Sequence, residues 1–171
     1  MNKMKEIRIE KITLNKGVGE AGELLKKASK LLSMISGKKS INNVSSKRIP
    51  KWGVRPGLEI GTKVTIRGKA AEELLKRLLA AVENKINPTS FGNDGNFSFG
   101  IPEYIEIPGI EYDPEIGIVG LEVAVTLERP GYRIKKRKYR KTKVGKGHSI
   151  KKDDAMDYAK SKFNVNLGVE E

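Results

Sequence analysis

The chain has 171 residues, with 34 Lys and Arg against 21 Asp and Glu, and its formal net charge at pH 7 is +13. This length allows a core that needs no covalent staple. Cysteine is absent and there is one histidine, His148, which excludes disulfides, thiolate chemistry and two-histidine metal sites. We therefore expect an intracellular protein without metal, cofactor, small-molecule substrate or membrane contact. Its strongly basic balance predicts a nucleic-acid partner.

The first half of the chain alternates between strand and helix patterns. A strand is predicted over about residues 6–15, and a turn rich in glycine follows at 17–22. Gly37 is placed to end the first helix. That helix has one apolar stripe, formed by Leu24, Leu25, Ala28, Leu31, Leu32 and Ile35. A short strand is predicted at 40–44, and residues 45–58 form an exposed loop whose length suggests a function.

The second half predicts further strands and two helices. Residues 62–67 alternate, so Val64 and Ile66 point inward while Lys63, Thr65 and Arg67 share the opposite face. A helix is expected over 70–86, stopped by Pro88. Strands are expected near 97–99 and over 116–128, the latter the longest, and a final helix over 153–163. The pattern predicts an α+β domain with helices on one face of a sheet and the other face free to bind.

Charge is segregated along the chain. Residues 38–69 hold nine bases and one acid, residues 91–128 hold eight acids and no base, and residues 133–152 hold eleven bases and no acid. Two basic blocks favour phosphate binding. The acidic middle is expected to lie on a side turned away from RNA. Residues 132–147 have little apolar content, so an extended arm ordered by its partner is expected. The chain is thus divided into an α+β RNA-binding domain (1–131) and an arm with a short helix packed on it (132–171).

Two alternative functions stay open from the residues alone. Gly17, Gly19 and Gly22 have the G-x-G-x-x-G spacing of a dinucleotide site between a predicted strand and helix. That site also needs an acid about 20 residues further on, and 38–48 has none. No catalytic combination of nucleophile and base is visible, so an enzyme is disfavoured. A general RNA chaperone or chromatin-like protein is the other alternative.

Five stretches occur in one order along the chain: KITLNKGVGEAGE, KKSINN, RPGLEIGTKVTIRG, FGNDGNFSFGIPEYIEIPGIEYD and GLEVAVTLERPGYRIKKRK. In these stretches the chain resembles the large-subunit ribosomal protein five family, called L-five in bacteria and L-eleven in eukaryotes. The basic arm resembles the archaeal and eukaryotic branch. The resemblance implies a curved antiparallel sheet with two long helices on one side, and a structural role on the cytoplasmic ribosome.

The resemblance also implies partners. Such a protein binds 5S rRNA, attaches it to the large-subunit rRNA in the central protuberance, approaches P-site tRNA and bridges to a small-subunit head protein. Family contacts carry over to Asn15 and Thr65, whereas Lys38 replaces a glutamine of the bacterial pattern. Charge and the resemblance together predict an rRNA-binding set of Asn15, Lys16, Lys38, Lys39, Lys63, Thr65, Arg67, Arg133, Lys135, Lys136 and Arg137. The loop expected to approach tRNA or large rRNA contains Lys47, Arg48, Lys51, Trp52 and Arg55. The expected bridge residues are Glu111, Asp113 and Glu115.

Overall fold

A computed structural model describes residues 2–168 and contains one five-stranded antiparallel sheet. The strand order across the sheet is β2-β3-β1-β6-β5. The strands are β1 (Arg8–Gly17), β2 (Ile41–Val44), β3 (Glu59–Ile66), β5 (Phe97–Ile101) and β6 (Leu121–Glu128). A separate parallel pair is formed by β4 (Lys85–Ile86) and β7 (Asn166–Leu167). The predicted α+β class is confirmed.

One face of the sheet is covered by helices and contains the core. The helices are α1 (Glu23–Ser36), α2 (Lys69–Ala81), α3 (Arg133–Lys136) and α4 (Lys152–Phe163). α1, α2 and α4 bury their apolar sides in the same cluster as the inward side chains of the sheet. Ile12 and Leu14 of β1 are fully buried there, while Lys63 and Thr65 of β3 and the alternate residues of β6 are exposed or half-exposed. The second face is therefore left open by the described elements, and we call it the open face.

The C-terminal region packs against the same core as the rest of the chain. Ala155, Ala159 and Phe163 of α4 are buried in it, and Tyr132 and Ile150 are buried before the helix begins. Strand β7 pairs with β4, and Lys162 Nζ lies 3.2 Å from Glu72 Oε1 of α2. Both ends of the stretch between Tyr132 and Ile150 are thus fixed to the domain.

The expectation that residues 116–128 form the longest strand is wrong. β6 begins at Leu121, and β1 with ten residues is longer. Gly117 has φ 76° and so leaves the extended conformation. A Cβ at Gly120 would lie 2.6 Å from the carbonyl oxygen of Pro102, so this close approach requires glycine. The result is that Ile116 is buried while Ile118 is 67% exposed.

Helix boundaries differ from the prediction for a local reason. α2 ends at Ala81, well before Pro88, because Glu83 and Asn84 adopt left-handed φ values of 52° and 56°. The first helix is confirmed, and Gly37 ends it with φ 63°. Leu24, however, is 60% exposed, so it does not belong to the core stripe.

The start of the basic arm is folded, so the prediction of a uniformly extended arm is wrong there. α3 forms one helical turn, and the backbone N–H of Thr142 returns to donate to Ile134 O at 3.2 Å. The Arg137 side chain donates to Arg140 O at 2.9 Å. Local hydrogen bonds and the burial of Tyr132 supply the packing that the arm's composition did not indicate.

Gly95→Ala is expected to destabilise the fold by about 2–4 kcal/mol, because its φ of 76° disfavours a side chain and its Cβ would overlap Ile150 Cγ2. Urea unfolding would measure the loss. Gly145→Ala is the matched control, since nothing lies within 4 Å of its Cβ position. Equal stability of the two variants would contradict the close packing of this turn on Ile150.

Candidate nucleic-acid interface

Two central strands place polar side chains side by side on the open face. Thr13 of β1 is paired with Thr65 of β3, and Asn15 is paired with Lys63. Val64 and Ile66 are buried on the other side of the sheet, which confirms the predicted alternation of β3. Because cross-strand partners point to the same side of a sheet, the four polar side chains form one strip. This strip combines two hydroxyls, an amide and a cation.

The Asn15 amide is oriented by its neighbours. Its Nδ2 donates to Glu122 Oε2 of β6 at 2.9 Å, and its Oδ1 accepts from Asn43 Nδ2 at 3.5 Å. A side chain held from both sides loses little further freedom when it meets a ligand. The structure therefore presents Asn15 in a fixed orientation beside Lys63.

The open face also contains carboxylates, which corrects one expectation. Residues 91–128 were expected to lie on the side turned away from RNA, but β6 is adjacent to β1 and turns Glu122 and Glu128 to the open face, beside residues of the predicted rRNA-binding set. The carboxylates are hydrogen-bonded: Glu122 accepts from Asn15, and Glu128 accepts from Arg8. The expected division of the surface by sequence segment is therefore wrong for this strand.

A network of five charges joins the arm to one end of the sheet. Lys136 Nζ of α3 lies 2.8 Å from Glu10 Oε1 and 2.9 Å from Glu128 Oε2. Arg67 pairs with Glu10 at 3.1 Å, and Arg8 pairs with Glu128 at 2.7 Å. The two carboxylates are largely buried, whereas the three cations stay partly exposed. The network therefore fixes α3 to the sheet and leaves cations facing solvent.

Ion pairing overcomes burial at both carboxylates of this network. Burial alone would raise the pKa of Glu10, but hydrogen bonds from Lys136 and Arg67 lower it below its usual value of 4.5. The pKa of Glu128 is lowered in the same way, by Lys136 and Arg8 against burial. The pKa of Lys136 is raised, because its two carboxylate bonds outweigh its desolvation. All three groups are therefore held in their charged forms.

The other predicted rRNA-binding residues are placed around this face. Lys38 and Lys39 are exposed in the turn that enters β2 at the sheet edge. Arg133, Lys135 and Arg137 are exposed on and just after α3. Lys16 departs from the set, because its cross-strand partner is the buried Thr62 and it therefore points to the helix side of the sheet.

Residues 45–58 form an ordered hairpin loop between β2 and β3. Ile49 and Val54 pair across it, and Val54 is buried. A single 3-10 turn at Pro50–Trp52 makes the tip, where Trp52 is 69% exposed. The four predicted cations of the loop are also exposed: Lys47, Arg48, Lys51 and Arg55. The loop therefore presents an aromatic ring among cations to solvent.

The predicted bridge residues are not equivalent. Asp113 is 2.8 Å from Lys30 of α1, and Glu115 binds the same amine. These bonds lower the pKa of Asp113 and raise that of Lys30. The Asp113 backbone N–H also donates to the Tyr104 hydroxyl at 2.9 Å. Lys30, from outside the acidic segment, thus compensates two of the three residues, whereas Glu111 is exposed and forms no ion pair within residues 2–168.

The glycine-rich turn does not form a dinucleotide site. It connects β1 to α1, but β1 has antiparallel neighbours on both sides, whereas a dinucleotide fold requires parallel strands. Gly19 and Gly22 have φ of 84° and 138°, so glycine is required there by the backbone conformation of the turn.

Among residues 2–168, no group of acidic or histidine side chains could hold a metal ion. His148 Nε2 instead bonds Pro130 O at 2.8 Å. None of the described helices combines the length and hydropathy needed to cross a bilayer.

Several residues of the open face were not selected from the sequence. The strip continues along β1 towards its N-terminal end with Thr13, Lys11 and Arg8, and across β6 to Ser98 of β5. The β1 sequence shows the alternation only for part of these residues. A register shift between Ile9 and Lys11 interrupts the two-residue period, so the pattern could not assign Arg8 to this face.

Two family models match the chain: one described as ribosomal protein L5 over residues 2–55, and one described as the C-terminus of the same ribosomal family over residues 59–158. The chain belongs to the ribosomal protein L5 family. Three archaeal relatives, each named large ribosomal subunit protein uL5, match nearly throughout. The Nanoarchaeum equitans protein is 50% identical, covering 96% of this chain and 97% of that protein. The proteins of Sulfurisphaera tokodaii (98% of this chain, 95% of that protein) and Nitrosopumilus maritimus (96% and 95%) are each 49% identical.

Membership of the L5 family confirms the coarse functional predictions. L5 proteins are structural components of the large ribosomal subunit and are not enzymes, so the enzyme alternative is excluded. The chain's partner is rRNA within that subunit, and its predicted ribosomal location is confirmed. The predicted archaeal type agrees with the relatives.

The carboxylate network predicts acid-sensitive stability. Since the pKa values of Glu10 and Glu128 are lowered on folding, their contribution is present above 4.5 and is lost as pH falls through the lowered values. At pH 7 the double variant Glu10→Gln, Glu128→Gln should lose about 2 kcal/mol of unfolding free energy. Denaturant unfolding at several pH values should show this deficit shrinking below the usual pKa.

The control for this experiment is Glu20→Gln with Glu73→Gln, two exposed glutamates outside the network. That variant should differ little from the parent at every pH. A deficit of the network variant that stays constant down to about pH 2, below the range in which paired carboxylates normally titrate, would contradict the assignment.

Proposed function

We propose that the chain binds 5S rRNA with its open face and attaches it to the large-subunit rRNA in the central protuberance. The observation that supports this most is the strip of Thr13, Thr65, Asn15 and Lys63, which no described helix covers. Core packing does not require these polar groups, because they lie on the other side of the sheet from it. The proposal is specific to 5S rRNA because the family resemblance carries Asn15 and Thr65 to that contact.

Recognition by this strip depends on RNA shape. Hydroxyl and amide groups can bond 2′-hydroxyls and phosphates across a shallow RNA minor groove without contacting bases. Most side chains of the strip are short, and the neighbouring Ala124 of β6 and Gly100 of β5 are shorter still. A surface of small side chains lets the backbone of an RNA helix approach closely. Lys63 then adds a cation at the edge of the contact.

The second RNA contact uses the cations around the open face. Arg133, Lys135 and Arg137 project from the α3 region, which the Lys136 network fixes to the sheet. Lys38 and Lys39 stand at the β2 edge of the sheet, whereas α3 is fixed to the interior strands β1 and β6. Cations at two separate places can engage two RNA segments at once, as joining 5S rRNA to the large rRNA requires. Binding should therefore weaken steeply with salt.

The hairpin loop is the part proposed to approach P-site tRNA. Trp52 offers a stacking surface, and Lys47, Arg48, Lys51 and Arg55 surround it with positive charge. An exposed tryptophan among cations is costly for solubility but suits contact with nucleotides. The Ile49–Val54 pairing keeps the tip ordered in the free protein.

The loop of residues 108–115, which contains the three expected bridge residues, is proposed to contact a basic small-subunit head protein. Glu111 is the group best placed for it, because Asp113 and Glu115 already bind Lys30. Arg77 Nε donates to Pro108 O at 3.0 Å and so holds the base of the loop to α2. Complementary charge at such a bridge speeds and orients encounter more than it adds affinity.

Thr65→Ala should weaken 5S rRNA binding by about fivefold, since it removes one hydrogen-bonding hydroxyl worth about 1 kcal/mol and leaves charge unchanged. Filter binding against 5S rRNA and an unrelated structured RNA would measure the preference. Thr65 is a cleaner probe than Asn15, whose loss would also leave Glu122 without its partner.

Ser161→Ala is the matched control, since it removes an exposed hydroxyl from α4 in the helix layer. It should leave both affinities unchanged. If Thr65→Ala lowers binding to both RNAs equally, the open face is not the specific site. If the unaltered chain shows no preference between the two RNAs, the chaperone alternative is favoured.

Glu111→Lys should leave 5S rRNA binding intact and slow the joining of reconstituted large subunits to small subunits at low ionic strength. Light scattering in stopped flow would measure the joining rate. Glu73→Lys, the same charge reversal at an exposed site on α2, should join at the unaltered rate. Equal rates for both variants would remove Glu111 from the bridge.

A further inference from the structure

The folded start of the arm encloses a pocket on the surface of the domain. Its volume is about 340 Å³, at the lower end of the range for small-ligand sites. The pocket is lined by Tyr132, by the segment that contains Lys141, Thr142 and Lys143, and by Asp94 in the turn before β5. The pocket therefore lies between the arm and the acidic part of the sequence.

The walls of the pocket are held in place by bonds that involve no ligand. The Tyr132 hydroxyl donates to His148 O at 3.2 Å and accepts from the Ile150 N–H at 2.9 Å, so its ring is fixed. The turn with Asp94 is pressed against Ile150 at Gly95, where a Cβ would overlap the isoleucine. Thr142 is fixed by its backbone bond to Ile134 O. A site with preset walls binds at a smaller entropic cost.

The chemistry of the lining has three components. Lys135, Lys141 and Lys143 supply positive charge, and none of them forms a salt bridge within the described part of the chain. Lys135 Nζ lies 4.7 Å from the centre of the Tyr132 ring, where it makes a cation–π contact. Thr142 and Ser149 add hydroxyls, and Asp94 adds a carboxylate that makes no ion pair among residues 2–168.

We propose that this pocket binds a single nucleotide, with its phosphate on the lysines and its sugar or base hydrogen-bonded to Asp94. A site for phosphate alone would gain nothing from a carboxylate, which repels the ligand. A carboxylate can accept from ribose hydroxyls or from a base amino group, and the hydroxyls of Thr142 and Ser149 add further hydrogen-bonding groups. The combination of cations, carboxylate and hydroxyls therefore matches a nucleotide.

The nucleotide can come from an unpaired residue of RNA or from a free mononucleotide. The first source extends the proposed RNA-binding function, on which it rests, by giving the arm a pocket for one splayed-out residue. The second source is independent of it. Both share the same chemistry, so the test uses adenosine monophosphate, a single-stranded adenine hexanucleotide and inorganic phosphate as separate probes of the full chain.

Isothermal titration calorimetry should show that adenosine monophosphate binds about tenfold more tightly than inorganic phosphate. The double variant Lys141→Ala, Lys143→Ala should weaken mononucleotide binding about tenfold. Lys76→Ala with Lys160→Ala is the matched control, since it removes two exposed lysines from helices α2 and α4, and it should change binding by less than about twofold.

Asp94→Asn gives the sharpest test, because a nucleotide site and a surface that only attracts anions predict opposite changes in the affinity for adenosine monophosphate. If the pocket binds a nucleotide through the carboxylate, the variant should bind adenosine monophosphate several-fold more weakly even though the net charge rises. If the surface only attracts anions, the variant should bind more tightly. Asparagine is well tolerated in turns, so the fold should persist.

Each outcome decides the proposal. Tighter binding by Asp94→Asn, equal losses in the two double-lysine variants, or phosphate binding as strong as the mononucleotide would overturn it. If the hexanucleotide binds more tightly than the mononucleotide and is weakened by the same substitutions, the pocket is assigned to RNA. If only the mononucleotide binds, the pocket is assigned to a free ligand. Failure of the pocket is measured with these small probes, and failure of the open-face site is measured with 5S rRNA and Thr65→Ala, so the two are distinguished.

Discussion

The register of β1 between β3 and β6 determines where the functional groups of the open face lie. β1 pairs antiparallel with both neighbours, and its apolar residues Ile12 and Leu14 are fully buried. Because side chains alternate across a strand, a slip of one residue would exchange Thr13 and Asn15 with these core residues. The hydrophobic effect thus sets the register, and the register in turn assembles the polar strip. The proposed RNA-binding surface is a by-product of correct core packing.

Strands and helices with regular apolar periods could be predicted from the sequence. Three predictions rest on local signals, and the structure confirms them: the alternation of β3, the stripe of α1 apart from Leu24, and the end of that helix at Gly37. The predicted ends of strands and helices are wrong where a long-range contact or an unusual backbone conformation determines the boundary. The contact of Gly120 with Pro102 delays the start of β6, and the left-handed Glu83 ends α2 early. Neither is visible in a hydrophobic period.

The sequence predicted an RNA-binding site, but it predicted only some of the residues that meet there. Charge segregation along the sequence indicated RNA binding, but sequence proximity is a poor guide to which charges meet in space. Lys136, placed among the RNA-binding cations, contacts Glu10 and Glu128 from distant strands. Glu122, placed in the acidic block, bonds Asn15. Such pairs require the tertiary fold, and they leave the open face with specific donors and acceptors, which favour a selective contact over a merely cationic one.

The parallel pair of β4 and β7 helps to hold the C-terminal end of the basic arm on the domain. With α4 packed in the core and Tyr132 buried at its start, the arm is a closed loop tethered at both ends. A loop with fixed ends explores far fewer conformations than a free tail of the same length, so its cations lose less entropy when they settle on a phosphate backbone. The tether also delays completion of the core during synthesis until α4 and β7 have emerged. A nascent chain that still lacks these two elements would have neither a complete core nor an arm anchored at its C-terminal end.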